Sequence, residues 1–229
     1  MPGPEPAPED GAGATGGTAD GGAEAVGGPP PYPPAPWRFR GHLWAAVLPV
    51  RDRLPVPADL RPLGSPFRLA VGLVRYREGT LRYDELALGP LVRRGRRAGL
   101  LIDRIWVDDA VSVRGGRDIW GLPKEPAEFE WSGRSVRVRD RDGPVAELSF
   151  GPGRPARLAL PSVPLPLPGF SGSAGRRLFV PGRLVGTVRP ETMTVLSWSD
   201  RLPRPARTTT RLSVAVRPFR MTVPGPVRC

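Results

Sequence analysis

The chain has 229 residues, a charged fraction of 24% and a formal net charge of +12. Its single cysteine, Cys229, excludes an internal disulfide, and its single histidine, His42, excludes a histidine-rich metal centre. No apolar run approaches the roughly 18 residues that a membrane-spanning helix needs, so a membrane partner is not expected.

In chain order, residues 1–36 are mostly Pro, Gly and Ala, with five acids (Glu5, Glu9, Asp10, Asp20, Glu24) and no base. Such a segment buries too little apolar surface to offset the entropy of ordering it. A disordered acidic tail over 1–36 and one domain over 37–229 are predicted. The tail has no basic region leading into an apolar run, so no signal peptide is expected and a reducing, cytoplasmic setting is the default. The body then holds 34 bases against 17 acids. Its arginines are dispersed, apart from Arg93, Arg94, Arg96 and Arg97 in a strand-to-strand loop. Charge alone is a weak sign of nucleic-acid recognition, and a nucleic-acid partner is not expected.

Strand signals dominate the body. "HLWAAVLPV", "FRLAVGLVRY", "LRYDELALGPLVR", "GLLIDRIWVD", "SVRVRD", "VAELSF", "RLFVPGRLVGTV", "TMTVLSW" and "LSVAVRPFRMTV" are short, rich in branched and aromatic residues, and bounded by Gly, Pro or Asp. "RDG" at 141–143 reads as a hairpin turn between two of them. Val136, Val138 and Val145 share one face while arginines take the other. Helical turns are expected only near Pro57–Leu63 and Asp118–Leu122, and the 32 prolines argue against long helices. The proline-rich stretch "PSVPLPLPGFSGSAG" (161–175) reads as a loop over the sheet, because proline cannot donate to a central ladder. The fold class is mainly β, antiparallel, with few short helices; the pattern alone does not separate a barrel from a sandwich.

Several chemistries are closed off. There is no phosphate-binding GxxxxGK[ST] loop, no G-x-S-x-G elbow and no cysteine pair for zinc. "DRDG" at 140–143 lacks the later ligands of a calcium loop. One residue stands out: Lys124 is the only lysine among 34 bases, the other 33 being arginine. An amine can lose its proton and attack a carbonyl, whereas a guanidinium stays protonated. A position that forms an imine cannot drift to arginine. Trp120, Gly121, Leu122 and Pro123 precede Lys124, and Pro123 and Pro126 stiffen its backbone.

"GGRDIWGLPKEPAEF" resembles the lysine motif of the acetoacetate decarboxylase family, in which a G-R-E/D segment leads a few residues later to P-K-K. "YPPAPWRFRG" (32–41) is similar to the leading segment of family members. "VRYREGTLRYDELALG" is similar to the strand pair that carries an active-site glutamate, here Glu85. The resemblance covers roughly residues 31–220. It implies a closed, cone-like antiparallel β-barrel, a homo-oligomer, and Schiff-base chemistry on a keto acid without a cofactor or metal. It makes Lys124 and Glu85 the catalytic candidates, and Arg40, His42, Arg117 and Trp120 the substrate-binding ones. Arg117 and Asp118 also have a structural reading, as clamps of the loop before the lysine, and Trp120 one as a packing residue. The match departs from the family where Glu125 replaces the second lysine. No acid stands upstream of Glu85 in "LAVGLVRY". The expected function is therefore a lyase-type reaction through a lysine imine, by decarboxylation or by aldol or dehydration chemistry. The alternative is a non-catalytic carbonyl- or carboxylate-binding protein on the same barrel.

Overall fold

The computed structural model describes Gly3 and residues 32–153, 159–173 and 175–229. The predicted tail therefore lies outside the described residues, apart from Gly3 and residues 32–36. The elements, in order, are β1 (Trp37–Pro49), β2 (Arg61–Pro62), β3 (Arg68–Gly79), β4 (Tyr83–Arg94), β5 (Arg97–Leu101), β6 (Arg104–Val107) and α1 (Ala110–Trp120). They continue with β7 (Lys124–Pro126), β8 (Glu128–Ser132), β9 (Ser135–Asp140), β10 (Gly143–Pro152), β11 (Leu160–Ser171), β12 (Leu178–Trp198), β13 (Thr209–Val223) and β14 (Val227–Arg228).

Strand pairing runs β11–β5–β4–β3–β1–β13–β12 and returns from β12 to β11, so the path closes on itself. The closed, mainly antiparallel barrel that the family resemblance implies is what these strands build. The two parallel contacts are β11 with β5, over two residue pairs, and β6 with β7. β12 is long enough to leave the ring, and its C-terminal half pairs with β10, which continues the sheet into β9 and β8. Two cores result. One lies between the ring and β8–β10 and gathers Trp44, Leu48, Leu73, Leu86, Val136 and Leu148. The other lies on the opposite face of the same ring strands and gathers Trp37, Phe39, Tyr76, Tyr83, Trp120 and Phe219. Strand parity feeds both: Leu73 and Leu86 face the first core, Val74 and Tyr83 the second.

The structure corrects or extends four expectations. First, the stretch 161–175 is not a loop. Most of it belongs to β11, paired along β12 from Val163 to Ser171. Alternate residues of a strand turn their amides to the same side. Pro164, Pro166 and Pro168 can therefore all face away from β12 while Val163, Leu165 and Leu167 sustain that ladder. On the other side β11 meets β5 only at Gly169 and Phe170. Second, α1 is an 11-residue helix where a turn was expected. Two glycines and two valines in "AVSVRGGRDIW" give it low intrinsic propensity, so its caps and packing decide. The Asp109 side chain accepts from the Ser112 amide at 2.5 Å, and Gly121 ends the helix in the left-handed region at φ 59°. Third, Pro57–Leu63 holds a single turn, closed by the Leu60 amide donating to the Pro57 carbonyl at 2.9 Å, and then the short strand β2, which was not expected. Fourth, "GLLIDRIWVD" splits into β5 and β6 at Ile102–Asp103, whereas "RLFVPGRLVGTV" and "TMTVLSW" join in β12.

Candidate active site

Lys124 opens β7, which is joined to β6 through α1 in a parallel crossover, the geometry a helix of this length permits. β6 lies between β7 and β4. Lys124 registers with Ile105, and Glu85 of β4 registers with Val107, two positions along. The two side chains therefore leave the same face of a three-stranded patch as diagonal neighbours. Lys124 Nζ lies 2.8 Å from Glu85 Oε2, 2.8 Å from Ser112 Oγ and 3.3 Å from the Tyr83 hydroxyl. Three acceptors thus meet the three N–H donors of an ammonium. Lys124 is 2% exposed and Glu85 8%. The Tyr76 hydroxyl donates to Glu85 Oε1 at 3.3 Å. Both phenols are pushed well above their ordinary pKa, first by burial and then by the charge of Glu85, so they remain protonated donors.

The glycine pair explains why the motif begins as it does. A Cβ on Gly116 would lie 2.5 Å from Lys124 Cδ, and one on Gly115 would lie 2.7 Å from the Trp37 ring. The lysine stem and the indole therefore lie directly on the helix backbone. The helix end is tied down by polar contacts. Arg117 Nε donates to the Lys124 carbonyl at 2.8 Å, Trp120 Nε1 donates to the Pro224 carbonyl at 2.8 Å, and Ser171 Oγ donates to the Trp120 carbonyl.

Around Lys124 lies a cavity of about 150 Å3 bordered by Trp37, Phe39, Tyr76, Tyr83, Glu85 and Trp120, among others. Of the predicted site residues, Lys124, Glu85 and Trp120 meet there. Trp120 packs edge-on against Trp37 at 4.7 Å, as its packing role requires. Arg117 serves the lysine's backbone, and its side chain borders an outer surface hollow instead. Arg40 and His42 do not border this cavity. They take the alternate positions of β1, opposite to Trp37, Phe39 and Leu43, and border an outer pocket with Arg77, Glu78 and Arg220. Arg40 is exposed and lies 3.7 Å from Glu78. His42 has its pKa lowered by partial burial, then by Arg217, Arg77 and Arg75. Both therefore stand apart from the lysine cavity.

Glu125 is exposed and borders the outer hollow, on the face of β7 opposite to Lys124. It does not contact the amine. Ser112 and Tyr76 were not anticipated from the sequence. The signal for Ser112 was its i, i+4 relation to Gly116, which sets both on the helix face that the lysine crosses. The signal for Tyr76 was its cross-strand register with Tyr83.

A family model described as acetoacetate decarboxylase (ADC) matches residues 51–171, more than half of the chain. Acetoacetate decarboxylase of Chromobacterium violaceum is 29% identical over 134 residues, which cover 55% of this chain. The match spans 50% of that protein, about half the length of the curated relative. Among solved structures, acetoacetate decarboxylase from Legionella pneumophila superposes with a TM-score of 0.66 at 15% identity, covering 95% of this chain and 97% of the other. The enduracididine biosynthesis enzyme MppR, complexed with pyruvate, gives 0.59 at 16% identity, over 86% and 91%. At such identities the superpositions speak for the fold, and the matched segment 51–171 contains Glu85, the G-R-D motif and Lys124. With fold and motif in agreement, the chain belongs to the acetoacetate decarboxylase family.

Proposed function

We propose that this chain is a lyase-type enzyme that acts on a keto acid through a Schiff base at Lys124. The observation that carries the reading is a lone lysine, 2% exposed, whose Nζ lies 2.8 Å from a buried carboxylate at the wall of an apolar cavity. Attack on a ketone needs the neutral amine. Glu85 is the group placed to take its proton, and Ser112 and Tyr83 hold the nitrogen in position. The amine adds to the carbonyl carbon, water leaves, and an iminium forms. In decarboxylation the bond to the carboxylate breaks, its electron pair moves into the iminium, and carbon dioxide and an enamine result. The proton that Glu85 took is spent in expelling that water, so Glu85 takes up a second proton from solvent and delivers it to the enamine carbon; this restores the iminium, and water hydrolyses it to the ketone and the lysine ammonium. Aldol or dehydration chemistry would use the same enamine. Because Glu125 stands outside the cavity, no second cation assists the amine from that position.

The alternative, a non-catalytic carbonyl or carboxylate binder, draws on the same contacts. A lysine whose three donors are all engaged is also a well-held ammonium. The two readings part when protein is incubated with acetoacetate or pyruvate, reduced with borohydride and digested. The enzyme reading expects an alkylated Lys124 peptide. Unmodified Lys124 with every carbonyl donor supports the binder.

A further inference from the structure

The cavity beside Lys124, at about 150 Å3, falls below the roughly 300–1,000 Å3 of ordinary ligand sites. It does not end at its own walls. Leu43, Gly72, Leu100, Leu167 and Pro168 border it and also border a wider opening of about 790 Å3. β1 runs along both: Trp37, Phe39 and Leu43 line the inner chamber, and Leu43, Ala45 and Val47 line the outer one. Through these shared walls the two are taken as one funnel, with the lysine at its narrow end. Among the described residues, none that borders the outer chamber is charged, in a chain where 24% of residues are. In the inner chamber the charged side chains are Lys124 and Glu85, which pair with each other at 2.8 Å. Among the described residues, no arginine borders either chamber.

We infer that the carbonyl substrate bears a long apolar chain, which lies along this funnel with its carbonyl at Lys124 Nζ. A medium-chain 3-oxo acid, with the corresponding methyl ketone as product, is the class that fits. This inference rests on the Schiff-base reading above. A four-carbon keto acid would leave most of the apolar wall against water, whereas a chain of eight carbons would reach past the inner chamber and cover more of it. Among the described residues the chamber offers the carboxylate no unpaired cation, and it departs as neutral carbon dioxide. The carbon–carbon bond breaks, its electrons enter the iminium, and one proton replaces the lost carboxyl group. Specificity then resides in the apolar chain, with Leu167 and Leu212 as its outermost contacts, 39% and 61% exposed.

The test is competitive borohydride trapping of the full chain with acetoacetate, 3-oxooctanoate and heptan-2-one, read as adduct mass on the Lys124 peptide. Each buried methylene favours binding by roughly fourfold, so the eight-carbon acid is expected to win over acetoacetate by at least about tenfold. Leu212→Asp, at an exposed position that tolerates charge, is expected to cut that preference severalfold. Adducts formed equally well by acetoacetate, or preferentially by it, overturn the inference while leaving the imine intact. No adduct with any carbonyl overturns the imine itself, and the inference with it. An oligomer that Leu212→Asp dissociates, with no chain-length preference in trapping, assigns the funnel to a second copy of the chain and also overturns the inference.

Discussion

The two cores of this protein are lined by alternate residues of the same strands, yet they are filled differently. The core under β8–β10 also buries Trp44, Trp106 and Phe150, but most of its members are aliphatic, and Leu48, Leu73, Leu86 and Leu148 are fully buried. The core on the other face is aromatic, holds two tyrosines and a buried ion pair, and leaves a chamber open beside Lys124. Branched aliphatic chains interdigitate to crystal-like density. Flat rings with polar tips leave space between them and carry hydrogen-bonding groups into it. The first core therefore holds the ring together, and the second holds the Lys124 amine in place. The contrast is testable, because substitutions on one face should cost stability and on the other chemistry.

The largest effect is expected from Glu85→Gln. It keeps the side chain's size but removes the proton acceptor 2.8 Å from Lys124. Turnover should fall about 10²–10⁴-fold. Breaking a buried pair also costs about 3–5 kcal/mol, so rates are read per folded molecule after a denaturant titration. Next comes Gly116→Ala. Inside a helix this change ordinarily stabilises by about 0.5–1 kcal/mol, but here the new Cβ meets Lys124 Cδ at 2.5 Å. Displacing the amine by about 1 Å should lower turnover about 10²-fold, while thermal unfolding shows an intact fold. A drop in stability without a loss of rate would mean that the lysine evades the clash.

Leu148→Ala probes the filled core and should have the converse signature. It should cost about 2–5 kcal/mol in chemical denaturation and leave turnover per folded molecule within about twofold. The smallest effect is expected at His42. Its pKa is lowered in the folded state, by partial burial first, so the unfolded chain takes up the proton more readily. Its contribution to stability is then fully present above the unfolded value of about 6.5 and is lost as pH falls. His42→Asn should flatten the decline in Tm on mild acidification and leave turnover within about twofold, as expected for a group outside the chamber.

The sequence made the lysine legible before the architecture. A single amine among 33 arginines, framed by prolines, is a chemical signal that needs no fold to read. Glu85 came only with the likeness of its strand pair to a family motif. The antiparallel β class was legible from period-two patterns, but closure of the ring was not, because it depends on β11, whose prolines argue against a strand in any local reading. The helix α1 was hidden for a related reason. Its glycines serve contacts with Trp37 and Lys124 rather than helix propensity, and the cap at Asp109 stabilises what composition does not. That Arg40 and His42 stand off the lysine chamber was not legible, because sequence proximity to a strand start says nothing about which face a residue takes. One position along β1 separates the chamber from the outer surface.

The central claim, that Lys124 forms an imine with a carbonyl, is tested most directly by oxygen exchange. A methyl ketone such as heptan-2-one is incubated with the protein in 18O-labelled water, and the isotope content of the recovered ketone is followed by mass spectrometry. Imine formation expels the ketone oxygen as water, and hydrolysis installs a solvent oxygen, so turnover of the imine exchanges one for the other. The account predicts exchange well above the protein-free rate, lost in Lys124→Arg, which keeps the positive charge but not the nucleophile. Exchange at the uncatalysed rate, or equal exchange by Lys124→Arg, would contradict it.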